Sequence, residues 1–234
     1  EIIYQGGVLS QKDKERLRGK EFALIPQSVA YLDPLMKVKA QVLEGRKEKE
    51  KRQKEIFQRL GLREAAERLY PFQLSGGMAR RILISTAVLS DAQVIIADEP
   101  TPGLDLKTAI EALKIFRELA DEGKTIVLIT HDIDLAFHVA DRIAVFYAGT
   151  TVEMAQASNF IKGEKALRHP YSKALWKALP QNGFQCIPGF QPYARDLPRG
   201  CLFSPRCPDK TAECEKNISM RELRGGYVRC IHAD

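Results

Sequence analysis

No Gly-x-x-x-x-Gly-Lys-[Ser/Thr] run occurs in this chain. The loop whose backbone amides and lysine usually cradle nucleotide phosphates is therefore missing from these residues. No apolar stretch approaches the roughly twenty residues that cross a bilayer, and no leader with a charged start and an apolar middle opens the chain. It reads as soluble, with any membrane role exercised through partner subunits. Cysteine is absent before Cys186, and no C-x₂-C pair follows, which argues against an ordinary zinc ribbon. Charge of one sign is not gathered anywhere. The net charge is +6, yet the densest basic run, Arg46 to Glu55, alternates in sign and suits a solvated helix face rather than a nucleic-acid surface. Internal repeats are absent. What is present, 234 residues with 44% hydrophobic content, is enough for one good core and a smaller appendage.

Local patterns order the chain. Glu1-Ile2-Ile3-Tyr4 and Phe22-Ala23-Leu24-Ile25 are short strand candidates on either side of a charged helical stretch. From Val38 to Ser90 the pattern is helical, with Ile56, Phe57, Leu60 and Leu62 as an apolar stripe that Gly61 punctuates. Val94–Ala97 is a continuous apolar run, as expected of a strand buried on both faces. A helix over Leu106–Glu122, a second buried strand over Thr125–Thr130, a helix over Asp134–Ala140 and a strand over Arg142–Tyr147 follow. This alternation predicts a parallel α/β sheet with its chemistry at the carboxyl ends of the strands, where Asp98, Glu99 and His131 lie. Past Ala155 seven prolines (Pro170, Pro180, Pro188, Pro192, Pro198, Pro205, Pro208) accompany the cysteines in a separate, loop-rich unit.

Two runs carry the most specific signal. Leu74-Ser75-Gly76-Gly77-Met78 is a glycine turn before a helix, where backbone amides and the helix dipole can meet an anion. Val94 to Pro100 is an apolar strand ending in Asp98-Glu99. An unpartnered carboxylate there would be costly, and Mg²⁺ with phosphate oxygens is the natural compensation. In this order and spacing the pair resembles the ATPase subunit of ATP-binding-cassette (ABC) transporters, matching the signature loop and Walker B.

The resemblance implies roles for individual residues. Asp98 would hold Mg²⁺, and Glu99 would be the general base on the attacking water, a role worth roughly 10²–10⁴-fold. Ser75, Gly76 and Gly77 would bind the γ-phosphate of ATP held by the other subunit of a dimer. Gln27 falls where the Q-loop glutamine senses Mg²⁺ and water, and Ser28–Val38 occupies the stretch that docks on the membrane subunit. Asp105, in Pro102-Gly103-Leu104-Asp105, matches the D-loop aspartate that couples the two sites. His131, in Thr130-His131-Asp132, matches the switch histidine; His138 and His169 have no such support and read as structural. Met78, Ala79 and Arg80 depart from the commonest form of the signature helix, Ala79-Arg80 standing where Arg-Gln is usual. The family's Walker A would lie a few dozen residues before Glu1, so the chain as written is expected to bind ATP poorly and hydrolyse almost none.

A narrower resemblance lies in the tail. His169-Pro170-Tyr171-Ser172-Lys173-Ala174-Leu175 and Gly200-Cys201-Leu202-Phe203-Ser204-Pro205-Arg206-Cys207-Pro208 are similar to the C-terminal part of oligopeptide, dipeptide and nickel importer ATPases. The spacing C-x₅-C-x₆-C-x₁₅-C of Cys201, Cys207, Cys214 and Cys230 points to a metal if the compartment is reducing. The resemblance implies a [4Fe–4S] cluster, with Zn²⁺ or free and disulfide-linked thiols as the alternatives, His232 as an outside candidate and Cys186 spare.

The expected fold is therefore an α/β, RecA-like P-loop NTPase core with an ABC helical subdomain and a small Cys-containing C-terminal extension. Residues 1–27 would be a remnant of the N-terminal β region leading to the Q-loop. Residues 28–90 would be the helical subdomain, 91–155 the core and 156–234 the extension. The expected function is ATP hydrolysis that energises an importer for peptides or nickel chelates, at the cytoplasmic face of the membrane. ATP and Mg²⁺ would be cofactors. A sister ATPase, in a homo- or heterodimer, two transmembrane permease subunits and, indirectly, an extracytoplasmic binding protein would be partners, with no nucleic acid. Two alternatives stand beside it: a soluble ABC ATPase uncoupled from transport, and a non-catalytic regulatory fragment whose iron–sulfur tail is the working part.

Overall fold

The run Val94-Ile95-Ile96-Ala97 becomes the middle strand of a three-stranded parallel sheet in a computed structural model that describes residues 1–234. Two units divide the chain, Glu1–Val139 and Ala140–Asp234.

In the first unit, β1 (Ile3–Tyr4) and β2 (Gly7–Val8) form a small antiparallel hairpin. Gln5 and Gly6 turn it with φ of 49° and 79°, the left-handed pair that a two-residue hairpin turn needs. Helix α1 (Gln11–Leu17) starts at Ser10, whose hydroxyl accepts from the Asp13 amide while Asp13 accepts from the Ser10 amide. Strand β3 (Phe22–Ile25) then lies beside β4 (Val94–Asp98), and β4 beside β5 (Thr125–Ile129). The register sets Ile25 against Ala97 and Asp98 against Ile129, bringing three strand ends level.

Between β3 and β4 come α2 (Val38–Leu43), α3 (Glu50–Arg59) and α4 (Gly76–Leu89). The stripe Ile56, Phe57, Leu60 and Leu62 is buried with Val38, Val42 and the apolar residues of α4. Helix α5 (Leu106–Asp121) presents Ala112, Leu113, Ile115, Phe116 and Leu119 to the same core at three- and four-residue spacing. Arg59 of α3 forks onto Glu111 and Glu118 of α5 at 2.7 Å each. Helix α6 (Ile133–Val139) closes the unit.

The sheet is covered on one face. Ile25, Ile95 and Ala97 are fully buried, whereas Leu24, Val127 and Ile129 on the other face are about half exposed. The expectation that β4 and β5 are buried on both faces is corrected on this point. A continuous apolar run reports what a strand can bury, not what covers it.

In the second unit β6 (Arg142–Tyr147) does not extend the parallel sheet, contrary to the reading of the alternating pattern. Ala148 and Gly149, at φ 47° and 84°, form a two-residue turn that folds β7 (Thr150–Gln156) back antiparallel on it. A second turn of the same kind at Arg224-Gly225 joins β8 (Arg221–Leu223) to β9 (Gly226–Val228), completing a four-stranded sheet in the order β6-β7-β9-β8. Helices α7 (Ala157–Ile161) and α8 (Pro170–Lys177) follow β7, and the proline-rich chain from Pro180 to Met220 holds no strand.

Candidate active site

Glu99 follows directly on β4 and adopts φ of 48°, a left-handed conformation that costs a residue with a side chain on the order of 1 kcal/mol or more. Three contacts hold it. Its amide donates to the Ile129 carbonyl at 2.9 Å, its carbonyl accepts from Arg80 Nη1 at 3.1 Å, and its Oε1 lies 2.7 Å from His131 Nδ1. His131 is 80% exposed and the Glu99 side chain 16%. The hydrogen bond to Glu99, and then the carboxylate's charge, push the imidazole's pKa above its ordinary 6.5. The second carboxylate oxygen, Oε2, is buried with no hydrogen-bond partner. A buried acceptor without a donor is costly, so this atom is poised to receive one from a water or a metal-bound group.

Asp98, the last residue of β4, is half-buried one residue away, and Gln27 is exposed two residues beyond the end of β3. Because β3 and β4 are neighbours, Pro26 and Glu99 come close enough to share one donor, Arg80 Nη1, at 3.2 and 3.1 Å. Asp98, Glu99, Gln27 and His131 thus gather at the carboxyl ends of three parallel strands. The orphaned Oε2 beside Asp98 fits a site for Mg²⁺ with its waters and phosphate oxygens. These residues alone do not make a full cation cage, since no group of three or more His, Cys, Asp or Glu is arranged to hold an ion.

Ser75 caps α4, its hydroxyl accepting from the Met78 amide at 3.3 Å. Ser75 and Gly76 are exposed at the start of a 14-residue helix. A Cβ on Gly77 would stand 3.1 Å from the Gly103 carbonyl, so glycine lets the signature turn and the loop before Asp105 meet closely. Arg81 braces the turn from behind, donating to the Gly77 carbonyl at 3.0 Å and to the Leu60 carbonyl at 3.0 Å. Asp105 caps α5. Its carboxylate accepts from the Thr108 hydroxyl at 2.7 Å and the Thr108 amide at 3.0 Å, which hold it below the usual carboxylate range.

The tail cysteines converge without forming a metal site. The Cys201 amide donates to the Cys214 carbonyl at 2.8 Å, and a Cβ on Gly200 (φ 70°) would overlap that carbonyl at 2.2 Å. The strand-free chain can therefore close here only with glycine. Cys201 and Cys214 are buried, as is Cys230, and all five cysteines are free thiols. Burial pushes the Cys201, Cys207 and Cys230 thiols up, Cys207 to about 11, with the neighbouring thiols as smaller contributions. No group of three or more of these side chains is arranged to hold a metal ion. The expected [4Fe–4S] cluster and its zinc alternative are thus not supported. His232 pairs instead with the Thr211 hydroxyl at 3.0 Å, and Cys186 is exposed.

Two features escaped the sequence reading. Arg80 was visible only as a departure from the usual helix. The other is a buried ionic cluster in the second unit. Glu153, fully buried on β7, accepts from the Arg168 and His169 amides and from Arg168 Nη1, at 3.1, 2.8 and 3.2 Å. Arg168, 1% exposed, also donates to the Leu223 and Arg224 carbonyls at 2.7 and 2.6 Å. Burial pulls the adjacent His169 down to about 4, and its neutral Nδ1 accepts from the Tyr171 amide to cap α8.

A family description, "ABC transporter", matches residues 1–102, and "Oligopeptide/dipeptide transporter, C-terminal region" matches residues 152–214. The dipeptide transport ATP-binding protein DppD of Escherichia coli K12 is 37% identical over 223 residues, 88% of this chain and 67% of that protein. The oligopeptide transport ATP-binding protein AppD of Bacillus subtilis 168 is 32% identical over 241 residues, 95% of this chain and 73% of that one. Among solved structures, a dimeric bacterial ABC transporter cassette superposes with a TM-score of 0.57 at 27% identity, over 64% of this chain and 68% of its own. A dimeric cassette in a post-hydrolysis state with ADP and Pi does so at 0.56 and 26%, over the same shares. With the fold, the strand-end carboxylates and the tail all in place, the chain belongs to the ATP-binding subunits of ABC transporters, the ATPases that drive them.

Proposed function

We propose that this chain is part of the ATP-hydrolysing subunit of an importer for dipeptides or oligopeptides. The observation that carries the hydrolytic part is Glu99, held left-handed with Oε1 on His131 and Oε2 buried without a donor. Glu99 Oε2 takes a hydrogen bond from the attacking water and draws off its proton, a positioned-base role worth roughly 10²–10⁴-fold. His131 fixes the rotamer of Glu99 and reaches the solvent side of the site. Gln27, on the loop that Arg80 ties to the same place, orients the water. Bound Mg²⁺, held by Asp98 and Gln27, would supply neutralisation of charge on the nucleotide phosphates.

Ser75, Gly76 and Gly77 offer backbone amides at the start of α4 to the γ-phosphate held by a second ATPase subunit. Asp105 holds the adjoining loop by capping α5. Residues 28–90 serve as the helical subdomain, with Ser28–Val38 facing the permease, where Tyr31 and Leu35 are strongly exposed. The partners are a sister ATPase, two transmembrane permease subunits and, through them, a binding protein. No helix here is long and apolar enough to cross a membrane, which leaves the spanning work to the permeases. Peptide is favoured over nickel because the relatives named above carry peptide transport in their names.

The test is the transporter expressed from its gene with its permease partners, a phosphate loop being present, and reconstituted in vesicles. Di- and oligopeptides with their binding protein should stimulate ATP hydrolysis. Glu99→Gln should lose turnover roughly 10²–10⁴-fold while still binding ATP. Hydrolysis stimulated by nickel chelates and not by peptides would overturn the substrate reading; full activity in Glu99→Gln would overturn the mechanism.

A further inference from the structure

We infer that Arg80 is a positioning residue that sets the catalytic carboxylate and the glutamine loop from the signature helix. The inference rests on the hydrolytic role given above to Glu99 and Gln27. The two N–H bonds of one nitrogen, Nη1, are divided between the carbonyls of Pro26 and Glu99, at 3.2 and 3.1 Å. One carbonyl belongs to the residue before Gln27. The other belongs to Glu99 itself, whose φ of 48° must be enforced by its surroundings because the residue does not favour it. The Glu99 amide is already held by Ile129 and its side chain by His131. The Arg80 bond supplies the third constraint, on the peptide plane that follows Glu99. Without it that peptide can rotate, and Glu99 is free to relax toward ordinary strand geometry.

The rest of the side chain's setting supports this division of labour. Arg80 is half-buried and forms no ion pair; its partners are carbonyls, which suits a group that orients backbone rather than one that neutralises charge. Neighbouring Arg81 has a separate task, bracing Gly77, Leu60 and Gly61. Arg80 sits one turn into a helix whose cap, Ser75, is exposed for an anion. A shift of that helix moves the guanidinium, and with it the two loops that handle the attacking water. The signature helix is thereby linked to the hydrolytic carboxylate of its own chain through one nitrogen.

Two readouts test this. Hydrogen exchange on the chain itself needs no nucleotide. Arg80→Ala should speed exchange in residues 27–31 and 99–103 by about tenfold while β4 residues 94–97 stay as in wild type and the melting temperature falls by no more than about 5 °C. In the reconstituted transporter Arg80→Ala should lower kcat by roughly 10–100-fold with KM for ATP within about twofold, and Arg80→Lys should recover most of kcat. Unchanged exchange in both loops would overturn the inference. So would a kcat loss that tracks a fall in melting temperature and is not rescued by lysine, or a rise in KM at constant kcat. Faster exchange with a wild-type transporter that hydrolyses no ATP would uphold the positioning of both loops by Arg80 and instead remove the reading of Glu99 as the base.

Discussion

Replacing Arg168 by Met should unfold the second unit under conditions where the wild-type chain is folded. Glu153 is fully buried and would keep only the two backbone amides of Arg168 and His169 for its negative charge. Breaking a buried ion pair by removing one partner costs about 3–5 kcal/mol, because the remaining charge is uncompensated. The Leu223 and Arg224 carbonyls would also lose their donors at 2.7 and 2.6 Å, at about 0.5–1.5 kcal/mol each because Leu223 is half-buried and Arg224 exposed, so water can take the donor's place. Methionine returns some packing, so a net loss of about 5 kcal/mol is expected, comparable to the whole stability of a small domain. With a urea dependence of about 1–3 kcal/mol per molar, the midpoint should fall by about 2–5 M. The chain has one tryptophan, Trp176, in the same unit, with its indole N–H on the Phe160 carbonyl at 3.0 Å. Its fluorescence therefore reports this unit. A Glu153→Leu, Arg168→Met double variant should recover at least half of the loss, since no charge is then stranded. A midpoint shift under about 0.5 M in Arg168→Met would refute the account, because a solvated or flexible cluster would lose no more than that.

Three further outcomes follow from particular atoms. In the reconstituted transporter, the basic limb of the pH–kcat/KM profile should include a pKa above 6.5. Pairing with Glu99 raises His131, so below that pKa the imidazolium holds the base in place, and above it the hold is weakened; His131→Ala should abolish this limb along with most activity. Gly200→Ala should expose the tail thiols, since its Cβ would lie 2.2 Å from the Cys214 carbonyl; labelling of Cys201 and Cys214 with a maleimide in the native state would rise from near none to complete. In the wild-type chain at pH 8, iodoacetamide should label exposed Cys186 first and Cys207 far more slowly, because burial holds its thiol near 11; peptide mass mapping after short exposures would show the order.

Much of the site was legible because it is written locally. A strand of parallel-sheet type announces where it ends, and the residue there must face the carboxyl edge of the sheet, so Asp98, Glu99 and His131 could be grouped from sequence. The glycine turn before a helix was equally local. What could not be read depends on partners far along the chain. Nothing around Arg142–Tyr147 says that it leaves the parallel sheet; the decision lies in Ala148-Gly149, whose left-handed turn is favoured by glycine only at its second position. Glu153 lies within a strand, and its burial depends on Arg168 and the His169 amide, fifteen and sixteen residues on. The cysteine spacing suggested ligands, yet the backbone around Gly200 brings the thiols near one another without setting them on a common centre.

The position of Glu99 shows why motif and geometry answer different questions. The motif names a carboxylate after a buried strand, but a carboxylate continuing that strand would follow the alternation of β4 and its direction would be fixed by the sheet. The left-handed turn at Glu99 breaks the alternation and turns the side chain to His131 on the neighbouring strand end. Such a backbone conformation persists only where contacts over-determine it. Here they come from β5 through the Ile129 carbonyl, from the following loop through His131, and from α4 through Arg80. Each belongs to a different element, so no window of sequence contains the reason. The reactive geometry is therefore a property of how β4, β5 and α4 are assembled, and a substitution at Arg80 in α4 should disturb the base as directly as one beside it.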